Sequence, residues 1–431
     1  MSDTIHQVAR QHLRRNFALG VLNGALFRLS DALISPSLVL PLFVSQLTDA
    51  HFLIGLIQPI MQGGWFFPQL VISRYVQHRP RKKGFYTAAA GVRLVSWGLL
   101  TLAVFTLGKR APGSLLAIFF ILLTVFSLGA GVAGLPFMDI VGKAIPARRR
   151  GLFFGCRNFL GGSLAFVTGF LVKQILDEEE GFPFPINFGL LFAIAFVLFG
   201  LAFFLFAQMV EPAEPVRQQE VHLFQQFSRA LELVRRDLNY RRFLILRWAL
   251  SAAEMAAPFY IVYAQRVLGV PTGMVGIYLS AMSLMGVASN LLWGRLSDRR
   301  GNKLVLQAST FIGLLVPLAA LTAPALQTIL PQEVIRHALA VPFVLLGVSS
   351  GGTRIGSANF LLDIAPAGDR PLYLGFAYTL LGIVLFLSAA SGVIVDLAGF
   401  PLLFSIALGF FALALVLSLN LRDPRMEGAH A

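Results

Sequence analysis

Apolar residues run along this chain in blocks of about twenty, long enough to cross a bilayer core about 30 Å thick as helix, and short polar knots separate them. Twelve such blocks are read at Phe17–Val44, Phe52–Ile72, Phe85–Leu107, Ser114–Met138, Leu152–Leu176, Ile186–Gln208, Phe243–Val267, Thr272–Trp293, Leu304–Leu321, Ala340–Ile364, Leu372–Leu397 and Leu402–Leu419. Lipid offers no partner to a bare backbone N–H or C=O, so each block must satisfy its own hydrogen bonds. The period-two alternation of a barrel strand is absent, and every block therefore predicts a helix. The expected fold class is an all-α membrane protein with twelve transmembrane helices.

Composition agrees. Of 431 residues, 56% are hydrophobic and only 13% charged, about half the charged share of a soluble domain. The formal net charge of +14 would suit a nucleic-acid partner, but its distribution does not. Basic residues gather before the first block, then after the second, fourth, eighth and tenth, before the seventh and at the end, whereas an intervening loop reads "DEEE" at 177–180. Every second loop is basic, the signature of cytoplasmic loops. A multi-pass protein of the cell membrane with both termini cytoplasmic is expected, without a cleavable leader and without nucleic acid as partner. A single cysteine, Cys156, excludes internal disulfides, and no Cys/His metal cluster is available. No cofactor is expected.

The longest polar stretch, Glu211 to Arg242, divides the chain six blocks plus six. Its first part reads as linker; its second places Leu223, Phe227, Leu231, Val234 and Leu238 at steps of four and three, an amphipathic helix suited to the membrane surface. The domains expected are residues 1–210, a linker at 211–240, and 241–431. A shift of 220 residues superimposes "PARRRGLFFG" (Pro146–Gly155) on "PAGDRPLYLG" (Pro366–Gly375), and Arg79, Lys83 and Gly162 on Arg299, Lys303 and Gly382. An even number of spans per half keeps both halves the same way up, so a parallel repeat of two pseudo-symmetric six-helix bundles is expected.

The knot "GRLSDRRGNK" (Gly294–Lys303) resembles the G-x-L-x-D-R-x-G-R-K signature of the major facilitator superfamily, departing from it at Asn302, where Arg is usual. The P-x-x-x-R-G turn at Pro146–Gly151 adds to the resemblance, which spans the whole chain. Gly294 is expected to allow the tight turn and close backbone approach. Asp298 gains little in an all-basic loop unless it meets a helix N-terminus; the resemblance implies a latch from Asp298, with Arg299, Gly301 and Lys303, to the start of the fifth span near Arg150. The first-half copy, "RYVQHRPRKK", has Arg74 for the first Gly, His78 for Asp and Arg81 for the second Gly.

Ionisable side chains deep in a span cost about 2.5–3.5 kcal/mol on insertion scales and are functional candidates by default. Arg28 and Asp31 in the first span, Glu254 in the seventh and Arg354 in the tenth are the deepest, and the resemblance places all four on a central cavity. Arg28 and Asp31, three residues apart, could pair with each other or bind solute. Glu254 must meet a cation on another helix or carry a proton. Gln58, Gln62 and Asn23 could hydrogen-bond solute or join helices. Asp139 and Lys143 read as a local ion pair, and Arg93 as a structural residue of an outer-layer helix. The Arg early in span four and the Gly-Pro signature of span five, found in proton antiporters of the family, are not present.

The function expected is a secondary active transporter moving a small solute by rocker-switch alternating access, monomeric, with proton coupling and direction open. The alternatives are a membrane-embedded enzyme, for which no catalytic constellation appears, and a lipid translocator or sensor on a transporter-like fold. No G-x-x-x-x-G-K-[ST] phosphate loop occurs.

Overall fold

The computed structural model describes residues 10–77, 79–179, 181–213, 223–366 and 370–423, and all regular structure among them is helical. His6, His78, Glu180, the linker at 214–222, residues 367–369 of the repeat, Arg425 and His430 lie outside the described residues. Nine helices among the described residues are long and apolar enough to cross a membrane. The chain forms two compact units. Unit one is Met1–Asp49, Pro59–Gln219 and Pro271–Gly276; unit two is Ala50–Gln58, Glu220–Val270 and Ile277–Ala431.

Unit one holds α1 (Leu13–Leu33), α2 (Val39–Ser45), most of α3 (His51–Gln77), α4 (Lys83–Leu107), α5 (Pro112–Ala144), α6 (Ala147–Leu176) and α7 (Ile186–Ala207). The first apolar block is therefore not one helix. Pro36 has no N–H to continue the ladder, and the chain turns through residues 34–38, with Ser35 O accepting from Leu38 N and Leu40 N. All seven residues of α2 are buried. They meet an aromatic core in which Phe43 lies 5.5, 5.3 and 5.2 Å from Phe119, Phe188 and Phe192. Trp97, fully buried, donates its indole N–H to Phe192 O at 3.1 Å, which satisfies the one polar atom of a large apolar side chain.

The helix ends of unit one are tied by the segment Gln208–Glu211. Asn16 exchanges two hydrogen bonds with Val210. Glu211, buried, accepts from the backbone N–H of Lys82 and Lys83 at 2.8–3.0 Å, placing an anion on the free donors at the start of α4. The expected pair of Asp139 and Lys143 forms at 2.5 Å, and Lys82 joins Asp139 at 2.6 Å. Beyond α6, Glu178 accepts from the N–H and hydroxyl of Thr272 at 2.9 and 2.8 Å.

Unit two holds α8 (Leu223–Arg236), α9 (Leu238–Ala253), a 3₁₀ turn (Glu254–Ala256), α10 (Ala257–Arg266), α11 (Met274–Arg300), α12 (Asn302–Gln327), α13 (Gln332–Ala338), α14 (Ala340–Ile364), α15 (Arg370–Leu387) and α16 (Ala390–Leu419). The amphipathic segment forms α8, and its Leu233 and Val234 pack on the core of this unit. Leu238 does not extend the α8 stripe; it opens α9, capped by Asp237, and is exposed. That core is built on Tyr240, Phe243, Phe360, Tyr373 and Phe411. The seventh block remains one span, Leu238–Arg266, tightened to a 3₁₀ turn just before Pro258. Gly399, at φ +79°, separates the end of the eleventh block from the twelfth. The start of α3 is held here too: Asp396 accepts from His51 N and Phe52 N at 3.2 Å each and contacts His51 Nδ1 at 2.7 Å. Asp396 thus places a carboxylate on the free donors at the head of α3.

Candidate functional site

In unit one, α1, α4 and α6 bring six polar side chains together: Asn23, Arg28, Asp31, Tyr86, Arg93 and Arg157. Depth follows from the shared anchor at Gln208–Glu211. Arg28 lies about 18 Å along α1 from Asn16, and Arg93 about 15 Å along α4 from Lys83, at 1.5 Å per residue. Both therefore sit near the middle of their spans. Arg157 donates to Gly20 O at 3.0 Å and Asn23 Oδ1 at 2.8 Å, while Asn23 donates to Ala202 O at 2.7 Å. Glycine makes this approach possible: the Arg157 stem occupies the space of a side chain at Gly24, and the Arg28 stem that of one at Gly161.

The charges close a ring. Asp31 lies in the fields of Arg28 and Arg93, Arg93 in those of Tyr86 and Asp31, Arg157 in those of Tyr86 and Arg28, and Tyr86 also lies beside Asn23. Arg28 and Asp31 do not form the direct ion pair that their spacing allows; among the described residues Asp31 is in salt-bridge contact with no cation. Arg93 is 5% exposed, so its side chain is interior to unit one. Its guanidinium carbon lies 4.3 Å from the ring centre of Phe126, and 5.2, 5.3 and 5.9 Å from those of Phe27, Phe203 and Phe199. Its Nε has no hydrogen-bond partner among the described residues. Arg157 rests 4.8 Å from the Phe137 ring centre. Arg28 is the exposed member of the set.

Unit two carries a smaller group. Glu254 stands on the 3₁₀ turn between α9 and α10, in the fields of Arg247 on α9 and Arg354 on α14. Arg247 also feels Tyr378 on α15. Among the described residues no salt bridge to Glu254 forms. Gln58 and Gln62 are half-buried on α3, and neither bonds another described residue.

The charged knot differs from its sequence reading at one point. Gly294 is not the turn: α11 runs through it to Arg300, and nothing lies within 4 Å of the place a Cβ would take. Gly301, at φ +83°, is the whole connection between α11 and α12, a conformation that favours glycine, and the Asp423 carboxylate fills the space beside it. Asn302, the departure from the signature, is fully buried; it accepts from Ser297 Oγ and donates to Asp363 Oδ2, both at 2.6 Å, tying α11, α12 and α14. Lys303 donates to Leu419 O at 3.0 Å and Arg150 to Ile145 O at 3.0 Å and Gly142 O, each satisfying carbonyls at a helix end. Asp298 and Arg299 are exposed.

Arg157 and Tyr86 were not legible as site residues. The signal for Arg157 is a lone cation in the "CRNFLGG" run, ten residues inside a helix; the adjoining "RRR" masks it. No group of three or more potential metal ligands forms among the described residues.

A family model described as Major Facilitator Superfamily matches residues 20–330 and 244–430. The structure resembles that of a D-xylose-proton symporter, at 16% identity and TM-score 0.71, covering 96% of this chain and 99% of that one. A nucleoside transporter is similar at 14% identity and TM-score 0.69 (94% and 98%), and a POT family transporter in complex with a thioalcohol-conjugated peptide at 11% and 0.70 (96% and 98%). These likenesses establish the fold. No curated protein matches the chain.

Proposed function

The chain belongs to the Major Facilitator Superfamily, and from that premise we propose that it moves a small solute across the cell membrane by rocker-switch alternating access, without chemistry on the solute. That it is a multi-pass membrane transporter follows from the family and the apolar helices. The observation that carries the finer reading is the placing of Glu254 on a 3₁₀ turn inside a membrane helix. The backbone stays hydrogen-bonded through this turn, Glu254 N–H to Leu250 O and Ala257 N–H to Glu254 O, and a tightened 3₁₀ turn inside a membrane helix is a form that often marks a functional hinge. An acid on the same turn, with its cations near but not in contact, is free to exchange a proton or a partner as the solute comes and goes. Arg28, Asp31, Asn23, Arg354, Gln58 and Gln62 join it as solute-facing candidates. Asp298 and Arg299, exposed in the last turn of α11 before the single-residue connection at Gly301, are candidates for gating, and both termini are assigned to the cytoplasm.

Purified protein in liposomes tests the role of Glu254. Glu254→Gln is expected to abolish accumulation driven by a pH gradient while leaving energy-independent solute exchange intact. Undiminished pH-driven accumulation by this variant refutes the coupling role.

A further inference from the structure

Resting on the transporter reading, we propose that the polar cluster of unit one is a binding site for an anion, a small solute carrying a carboxylate or phosphate group. Three guanidinium groups, Arg28, Arg93 and Arg157, stand in one cluster with a single described carboxylate, Asp31, which lies in the fields of Arg28 and Arg93 only, and with Tyr86 and Asn23. The cluster thus carries two uncompensated positive charges near mid-span. Charge held there without a partner is expensive, because taking an ion out of water costs several kcal/mol. A structural role would call for carboxylates in contact, yet among the described residues no acid touches any of the three.

What surrounds them is adapted to hold cations without neutralising them. Arg93 is caged by Phe27, Phe126, Phe199 and Phe203, whose ring faces stabilise a guanidinium while leaving its N–H groups unspent. Its Nε, buried, has no partner among the described residues. Arg157 is positioned by Gly20 O and Asn23 through Nη1 alone, so the rest of its fork is unspent on these bonds. A guanidinium fork matches a carboxylate or phosphate through two parallel hydrogen bonds. Arg28, exposed, marks where the cluster reaches the surface of unit one. Asp31 lies in the fields of both Arg28 and Arg93 and is the group an incoming anion must displace electrostatically, which sets a limit on how tightly the empty site holds itself together.

The test uses the full-length protein in neutral detergent at fixed ionic strength, with thermal unfolding followed in titrations of inorganic phosphate, acetate, succinate, chloride, xylose and tetramethylammonium. Phosphate or the carboxylates are expected to raise the midpoint saturably, the two classes telling phosphate from carboxylate recognition, while xylose and tetramethylammonium leave it unchanged. Arg157→Met is expected to weaken the anion response about tenfold or more, since it removes a charge-assisted bond. Arg15→Gln, which loses only the peripheral bond to Gln208 O, is expected to respond as wild type. A shift by xylose or tetramethylammonium alone, an equal shift with chloride, or an anion response unchanged in Arg157→Met and in Arg28→Gln overturns the proposal. Exchange of labelled anion in liposomes separates this from the transporter reading. Saturable binding with no exchange sinks transport and leaves the anion site. Exchange of a neutral solute with no anion binding sinks the anion site and leaves transport.

Discussion

Replacing Arg93 by methionine separates a functional guanidinium from a structural one. Four phenylalanine rings lie within 5.9 Å of the charged carbon, the nearest at 4.3 Å. A desolvated cation–π contact is worth about 2 kcal/mol at its best and an ordinary one about 0.5–1 kcal/mol. One desolvated contact and three ordinary ones make the cage worth about 3.5–5 kcal/mol. Against it stands a desolvation penalty of several kcal/mol for a guanidinium with no carboxylate in contact. The two nearly cancel. Methionine is about as long, removes the charge, and keeps sulfur–aromatic contacts of about 0.3–1.5 kcal/mol each. The variant is thus expected to unfold no earlier than wild type, and up to about 4 kcal/mol later, the range found when buried charges give way to apolar side chains of similar volume. In a chain of this length about 1 kcal/mol moves the midpoint by about 2 °C or less. Thermal unfolding in detergent, read beside solute exchange in liposomes, gives both halves of the expectation: unchanged or raised stability, lost exchange. A midpoint lowered by more than about 5 °C, with activity falling only as far as the folded fraction, would show that Arg93 is cement and refute the reasoning.

Two further substitutions probe the connections. Gly301 at φ +83° and ψ 167° occupies a region open essentially to glycine alone, where another residue costs about 1–3 kcal/mol; Gly301→Ala is expected to lower stability by that order, and by more if Asp423 cannot move aside, while Gly294→Ala, in open space within a helix, is expected to lower nothing in unfolding midpoint. Asp396→Asn loses the full charge over the head of α3 and is expected to cost about 1 kcal/mol, the usual worth of a helix cap; an unchanged midpoint at two ionic strengths would count against the capping role.

The helices were legible because lipid leaves an apolar run of twenty residues few other structures. Their interruptions were less so. Pro36 stands in plain view, yet a run that keeps its apolar character across a break reads as one span, as Phe17–Val44 does. The deep charges were legible as costly groups, and Asn23, Arg28, Asp31 and Glu254 do stand in polar clusters. Which neighbours they would have was not, since helix packing decides it. That Arg93 is buried among aromatic rings was not legible either, because position along the chain does not say which face of α4 turns inward. The turn in the knot was placed at Gly294, although Gly301 has the same residue type; only the backbone angle tells a required glycine from a permitted one. Asn302 stood out as a departure from the family signature, and its burial between Ser297 and Asp363 gives the departure a physical sense.

One residue before Arg157 on α6 sits Cys156, half-buried and the sole thiol in the chain. A fluorophore or spin label attached to untouched protein can land nowhere else, so occupancy of the neighbouring arginine becomes readable as a change in colour or line shape, with no engineered background to build first.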